Sequence, residues 1–243
     1  MAECIHGFEG GLCDICYPKA VPEKPRVTRS AGTPRRTAGV ATTRKSISVG
    51  EQRIYHVTHI RNLENILETG ELRAAATPAV DVSAELTREL RLGAEAAPGE
   101  SVASYVPFYL APDATLWQQL LGGAIDETRW SAAARAAASH DFVFLVSTAR
   151  HLGDDGVITD GDAAGSDTRF TNKPDLTGRM LVHLHDEAKL ADAEALAKDS
   201  FAFDAVQLIG VANDPVRERV KGMLDDAHFE TKVAVYPPWF ALS

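Results

Sequence analysis

The clearest pattern of apolar and polar positions along the chain lies in residues 54–72. The stretch opens with β-branched and aromatic residues, which favour a strand. Its later apolar residues recur at the spacing of one helical face. Thr58 offers a side-chain oxygen to cap the helix N-terminus, and Gly70 stands where a left-handed residue would end the helix. The pattern predicts a strand, a turn and a helix, whose N-terminal N–H groups suit an anion. A purely structural role for this turn is the alternative.

The rest of the chain shows a mixture of helical and strand patterns. Helices are predicted over 80–93, 114–121 and 131–139, with a fourth that Asp214 caps and Pro215 begins; strands are predicted over 104–110, 142–147, 156–160, 180–185, 205–212 and 231–237. Pro107 lacks a backbone N–H, so the strand around it is expected at a sheet edge or a bulge. No G-x-G-x-x-G follows a strand and no G-x-x-x-x-G-K-[ST] occurs, which argues against Rossmann and P-loop nucleotide sites.

The length and the apolar runs set the class of protein. With 243 residues the chain can form one sizeable domain with appendages. It contains no apolar run of about 20 residues, so no membrane span is expected. The N-terminal residues also lack the apolar segment of a signal peptide. The expected location is therefore the cytoplasm.

All three cysteines lie within the first 16 residues, spaced as C-x-H-x6-C-x2-C. An odd number of cysteines in a cytoplasmic protein argues against disulfides. Three thiolates and one imidazole would complete a tetrahedral shell for structural Zn²⁺, and metal binding would supply the folding energy of so small a segment. The predicted ligands of this zinc knuckle, residues 1–18, are Cys4, His6, Cys13 and Cys16. The alternative is a chance cluster of thiols.

Residues 19–50 carry eight basic side chains and one acidic one, although the chain as a whole has a net charge of −9. The segment is rich in Pro, Ser, Thr and Ala and has no apolar periodicity, as is typical of a flexible linker. Its basic pairs, such as Arg35 and Arg36, could contact nucleic-acid phosphates without regard to sequence. A basic linker without a binding function is the alternative.

Four sequence blocks, in order, resemble those of a known family: YHVTHIRNLENIL from Tyr55, YVPFYLAPDATLW (105–117), VITDGDAAGSDTRF (157–170) and AEALA (193–197). Together they resemble the DarT family, the DNA ADP-ribosyltransferase toxins of bacterial toxin–antitoxin pairs, over roughly residues 50–240. The resemblance implies an α+β fold for residues 51–243, with an ADP-ribosyltransferase-like split mixed β-sheet and flanking helices. It also implies NAD+ as co-substrate, single-stranded DNA as acceptor, and an antitoxin partner, of the macrodomain type, that reverses the modification.

The resemblance also assigns the catalytic side chains. Glu194 is the candidate for the carboxylate beside the nicotinamide ribose, with Glu187 in reserve. By propensity alone, however, the alanine-rich surroundings of Glu194 predict an exposed helix. Arg88 is the candidate for the arginine that holds the phosphates, and Arg91, one turn further on, is nearly as good a candidate. Solvent-exposed side chains are the alternative for each of them.

The remaining candidates are placed by block. His56 matches the histidine that binds NAD+, and His59 and Asn62 are expected to shape the turn at the nucleotide. Tyr105 and Tyr109 could stack on nicotinamide or a base. Asp160 and Arg169 are expected where the nucleic acid enters. The acceptor base is implied to be thymine or guanine. His183 and His185 fall on one face of the predicted strand 180–185 without a carboxylate at suitable spacing, so no catalytic metal is predicted. The alternatives are an inactive nucleic-acid-binding module and an ADP-ribosyltransferase acting on RNA or protein.

Overall fold

A computed structural model describes residues 48–123 and 127–242. The predicted zinc ligands and linker arginines, at positions 4, 6, 13, 16, 35 and 36, lie outside these described residues. Within the two described ranges, no helix combines the length and the apolar character that crossing a membrane requires.

The described elements combine short strands with six α-helices. The strands are β1 (Arg53–His59), β2 (Glu71–Arg73), β3 (Glu95–Ala97), β4 (Glu100–Ser101), β5 (Tyr105–Tyr109), β6 (Phe142–Thr148), β7 (Val157–Thr159), β8 (Phe170–Thr171), β9 (Glu194–Lys198), β10 (Ser200–Ala202), β11 (Leu208–Val211) and β12 (Lys232–Val235). The helices are α1 (Leu63–Thr69), α2 (Glu85–Gly93), α3 (Thr115–Leu121), α4 (Ala132–Ala136), α5 (Pro174–Asp186) and α6 (Asp214–Asp226).

Eight strands form one mixed sheet in the order β12-β11-β6-β1-β5-β9-β7-β8. All seven residues of β1 pair with β6, from Arg53↔Thr148 to His59↔Phe142. On its other side, β1 pairs with β5 at Tyr55↔Tyr109 alone. The sheet therefore opens between β1 and β5. The expected mixed fold with a large mixed sheet is confirmed.

The core lies on both faces of β6, whose seven residues are all buried. Val143 and Leu145 pack on one face, in the cluster that also holds residues of α1, α5 and α6. Phe142 and Phe144 pack on the other face with Trp117 of α3. Because alternate strand residues point to opposite faces, the continuous apolar run 142–146 serves both clusters.

Two sequence interpretations of secondary structure prove wrong. Residues 180–185, predicted to be a strand, belong to α5, in which Pro174 stands in the first turn and Thr177, Leu181 and Leu184 are buried at helical spacing. Six residues are too few to separate the two periods. In contrast, the alanine-rich stretch around Glu194, helical by propensity, forms β9 and pairs with β5 and β7. Burial between two strands overrides intrinsic propensity there.

Pro107 lies inside the sheet rather than at an edge or a bulge, because β5 runs between β1 and β9. Its carbonyl accepts a hydrogen bond from the side chain of His56, on β1. The N–H and C=O of one residue in a strand point to the same side. The backbone nitrogen of Pro107, which has no hydrogen, therefore points toward β1, on the side where the sheet opens. No ladder hydrogen bond is lost, because none forms there.

The helix caps differ by one residue from the prediction. His59, rather than Thr58, caps the short 3₁₀ turn before α1, and its Nδ1 accepts from the backbone N of Arg61. Asn213, rather than Asp214, caps α6 by accepting from the backbone N of Val216 at 3.1 Å. Gly70 ends α1 in the left-handed conformation, with φ of 71°, as predicted.

Candidate active site

A cavity of about 390 Å³ lies where β1 and β5 part. Its walls come from β1, from the segment between α1 and α2, from α2 itself and from β5. Arg129, Trp130, Asp162 and Glu194 also line it. The single pairing between β1 and β5 thus opens a cleft in the centre of the sheet, lined by apolar walls and a few charged groups, as ligand sites commonly are.

Glu194 is the most enclosed charged group of the cleft, with 3% of its surface exposed. It begins β9 opposite Tyr109. Its Oε2 accepts a hydrogen bond from Nη1 of Arg91 at 3.0 Å, and its Oε1 accepts from the backbone N of Ala163 at 3.1 Å. The carboxylate is therefore fixed from two sides, by α2 and by the loop after β7.

Burial raises the pKa of Glu194 above its ordinary value, and the nearby Asp162 adds to the rise. The guanidinium of Arg91 and the N–H of Ala163 oppose it. Burial also raises the pKa of Tyr109, and the negative charge of Glu194 contributes next. A buried carboxylate with a raised pKa is a common feature of active sites.

His56 faces the same cleft from β1. Its Nδ1 lies 2.8 Å from the carbonyl oxygen of Pro107, and because a carbonyl can only accept, Nδ1 carries the proton. Burial lowers the pKa of His56, which keeps the ring neutral near pH 7. Its Nε2 is therefore an acceptor, suited to a hydroxyl of a ligand.

His59 and Asn62 hold the frame of the cleft. The ring of His59 packs edge-on against Phe142, with 5.8 Å between the centroids. The side chain of Asn62 donates to the carbonyl of Val80 at 2.9 Å and accepts from its backbone N at 2.8 Å. These bonds tie the segment before α2 to the turn after β1. The structure thus places both residues at the turn.

The two candidate arginines of α2 have different partners. Arg88 forms an exposed ion pair with Asp81 at 2.5 Å, with half of its side chain accessible. Arg91 reaches Glu194, and only 15% of its side chain is exposed. Both line the cleft, but only Arg91 contacts the candidate catalytic carboxylate.

The two tyrosines of β5 both line the cleft. The hydroxyl of Tyr105 donates to Oε2 of Glu100 at 2.6 Å, so this ring is buried and anchored. Tyr109 is less covered and lies beside Glu194. Tyr109 is consequently the better placed of the two to touch a ligand.

Asp160 and Arg169 pair with each other at 2.5 Å across the base of the loop 160–169 and do not line the cleft. Glu187, the reserve carboxylate, is exposed and pairs with Lys189 at 2.6 Å, away from the cleft. His183 lies in the last turn of α5 beside Glu187. Within the described ranges, no three His, Cys, Asp or Glu side chains are grouped so that they could hold a metal ion.

Sequence reasoning missed two charged residues of the site. Asp162 and Arg129 form an ion pair at 2.5 Å across the cleft, with about a quarter of each side chain exposed. Asp162 lies in the GDAAGSD loop, whose small residues predict a tight loop beside a ligand. No pattern around Arg129 marks it, because it lies in a turn rather than in a periodic element.

Comparison with known proteins agrees with this geometry. The model of a family described as "ssDNA thymidine ADP-ribosyltransferase, DarT" matches residues 55–241. The chain belongs to the DarT family. It is accordingly an NAD+-dependent ADP-ribosyltransferase that acts on single-stranded DNA. The DarT family that the four sequence blocks indicated is thereby confirmed.

Solved structures of DarT proteins share the fold. Thermus sp. 2.9 DarT in complex with ADP-ribosylated ssDNA superposes with a TM-score of 0.67 at 21% identity, over 81% of this chain and 99% of that chain. The same Thermus protein in complex with NAD+ gives 0.62 at 20% identity, over 77% and 96%. Thermosipho africanus DarTG in complex with ADP-ribose gives 0.59 at 18% identity, over 78% of this chain and 51% of that chain. No curated protein sequence matches the chain.

Proposed function

We propose that the cleft between β1 and β5 holds NAD+ and that Glu194 directs transfer of ADP-ribose to a thymine of single-stranded DNA. The observation that carries this proposal is the buried Glu194 carboxylate, held by Arg91 and Ala163 at the wall of the cleft. The choice of thymine over guanine rests on the description of the matching family.

The chemistry explains why a carboxylate is needed there. Nicotinamide leaves as a neutral group from a cationic glycosidic bond, so the leaving group needs no general acid. The ribose carbon develops positive charge in an oxocarbenium-like transition state. Glu194 would orient a ribose hydroxyl and stabilise that charge. Its raised pKa also suits it to take a proton from the attacking base.

Arg91 takes the role of the catalytic arginine in this proposal, in place of Arg88. The support is its partial burial and its bond to Glu194, whereas Arg88 pairs with Asp81 in an exposed position. A guanidinium beside the carboxylate can hold it in place and still present donors to the pyrophosphate of NAD+. Arg88, which also lines the cleft, would approach the phosphates only by leaving Asp81.

His56 would bind the adenosine-side ribose through its unprotonated Nε2. Tyr109, beside Glu194 on the neighbouring strand, would stack on nicotinamide or on the acceptor base. The loop 160–169, whose base is closed by the pair of Asp160 and Arg169, would form the wall along which the DNA approaches. In the same proposal, the linker residues Arg35 and Arg36 add sequence-independent phosphate contacts.

The test is transfer of label from NAD+ to matched nucleic acids. Full-length protein is incubated with a mixed-sequence DNA strand, the same strand without thymine, an RNA of the same sequence and a protein mixture. We expect label on the thymine-containing DNA alone. The variant Glu194→Gln is expected to abolish it, and the matched control Glu187→Gln, on an exposed carboxylate, to keep it.

Each other outcome has a distinct meaning. Label on the strand without thymine would move the acceptor to another base such as guanine. Label on RNA or protein alone would favour the rival acceptor classes. Full activity of the Glu194→Gln variant would remove Glu194 from the catalytic role.

We also propose that the protein is the toxin of a toxin–antitoxin pair. The support is membership of the DarT family and the fold shared with a chain called DarTG, of which this chain matches 51%. Expression of the wild-type chain should stop growth, whereas the Glu194→Gln variant should not. A macrodomain enzyme that removes ADP-ribose from DNA should restore growth when it is expressed together with the toxin.

A further inference from the structure

The hydroxyl of Thr159 lies at the end of β7 and is fully buried. It accepts a hydrogen bond from the backbone N of Glu194 at 2.8 Å. Its single proton has two acceptors in reach, the carbonyl of Gly161 at 2.6 Å and that of Glu194 at 3.2 Å, and the shorter contact is the bond. One hydroxyl thus joins Glu194 to the loop that follows β7.

The hydrogen bonds of the Thr159 hydroxyl take the place of backbone pairing between β7 and β9. The pairing of β7 with β9 consists of Val157↔Leu196 and Ile158↔Ala195 and stops before Glu194. Two residues beyond Gly161, the backbone N of Ala163 donates to Oε1 of Glu194. The Thr159 hydroxyl therefore fixes both the backbone of Glu194 and the loop whose N–H holds its carboxylate.

We propose that Thr159 is a positioning residue for ADP-ribose transfer and holds the Glu194 carboxylate in its reactive orientation. The inference rests on the proposed catalytic role of Glu194. Thr159 does not line the cleft, so it acts through Glu194 rather than on NAD+. A displacement of about 1 Å in a reacting group can cost about 100-fold in rate.

The experiment compares full-length variants by their kinetic constants. Thr159→Val keeps the shape of the side chain but can neither donate nor accept, and we expect kcat to fall by about 100-fold. KM for NAD+ should stay within about twofold, because a positioning effect acts on the transition state. Thr159→Ser restores the hydroxyl and should recover most of kcat.

A matched control separates positioning from the general loss of a buried hydroxyl. Thr177, near the start of α5, is also buried. Its hydroxyl donates to the carbonyl of Lys173, the residue before the helix, at 3.0 Å, outside the cleft. Thr177→Val also removes a buried hydroxyl bond, so it should lower the melting temperature while leaving kcat unchanged. An equal loss of kcat in both variants would overturn the proposal.

The pH profile gives a second readout. The groups that act on the Glu194 carboxylate are Arg91 and the Ala163 N–H, which lower its pKa, and Asp162, which raises it; the un-ionised Tyr109 lies opposite. When the Ala163 bond loosens, the pKa of Glu194 rises. The acid limb of kcat, where activity is lost as the pH falls through that pKa, should therefore move to higher pH in Thr159→Val.

The two levels of the proposal fail separately. If Glu194→Gln is inactive and Thr159→Val keeps the kcat and pH profile of the wild type, the positioning role of Thr159 is wrong and the role of Glu194 stands. If Glu194→Gln keeps full activity, the catalytic assignment itself is wrong.

Discussion

Replacing Arg91 by methionine tests which arginine of α2 serves the site. The substitution removes the cation and the Nη1 hydrogen bond from Oε2 of Glu194 but leaves the Ala163 bond to Oε1. The Arg91 and Glu194 side chains are 15% and 4% exposed, so the variant leaves a buried carboxylate without its partner. Breaking a buried pair in this way costs about 3 to 5 kcal/mol.

The lower end of that range applies, because Glu194 can take up a proton instead of remaining charged. For a domain of this size, about 3 kcal/mol lowers the melting temperature by about 6 to 12 °C. Arg88→Met breaks a pair whose side chains are 50% and 42% exposed. It should cost less than about 1 kcal/mol, and it is the matched control.

Thermal unfolding and labelled transfer to DNA are measured together. We expect Arg91→Met to lose about 100-fold in transfer rate and Arg88→Met to lose much less. In the double variant Arg91→Met with Glu194→Gln, most of the lost stability should return, because neither charge remains. That recovery is a double-mutant cycle on the pair itself.

The stability deficit of Arg91→Met should also depend on pH. Without the guanidinium, the pKa of Glu194 in the folded protein rises further above its unfolded value. The electrostatic penalty is therefore fully present above that further raised pKa, and it disappears as the pH falls below the pKa of Glu194 in the folded wild type, which is itself raised above the ordinary value. Wild-type melting of Arg91→Met at pH 7 would refute this role of the ion pair, and so would greater damage from Arg88→Met to both stability and transfer.

Three further outcomes follow from the sequence and the structure. His56→Phe should raise KM for NAD+ about tenfold, because it removes one acceptor from the cleft, and steady-state kinetics at saturating DNA would check this. Gly210→Ala should destabilise the fold by about 1 to 3 kcal/mol, because a Cβ there would lie 2.5 Å from the Trp239 ring; unchanged denaturant unfolding would contradict it. The full-length chain should carry one zinc ion that Cys4→Ser loses, and metal analysis of both proteins, together with a Ser46→Ala control, would show whether the N-terminal cluster binds zinc.

The sequence by itself determined the elements with long or regular apolar patterns. The run 142–147 became the central strand β6, and the pattern of 54–72 became a strand, a turn and α1 ending at Gly70. Periodicity predicts these elements correctly because the spacing of apolar residues reflects whether one face or both faces of an element are buried. Each segment contains that information in its own sequence. The four sequence blocks likewise indicated the family, because each block lies within one short stretch of sequence.

Tertiary structure alone decided how the site is assembled. Glu194 has helical surroundings by propensity, yet it begins a buried strand because β5 and β7 flank it. Arg88 and Arg91 lie one turn apart on the same helix, so the sequence does not choose between them. Only the packing of α2 brings Arg91 to the carboxylate of Glu194, 103 residues further along the chain. Pro107 could lie inside the sheet because the sheet opens beside it. Each of these outcomes depends on strand order and long-range contacts, which local patterns along the chain do not encode.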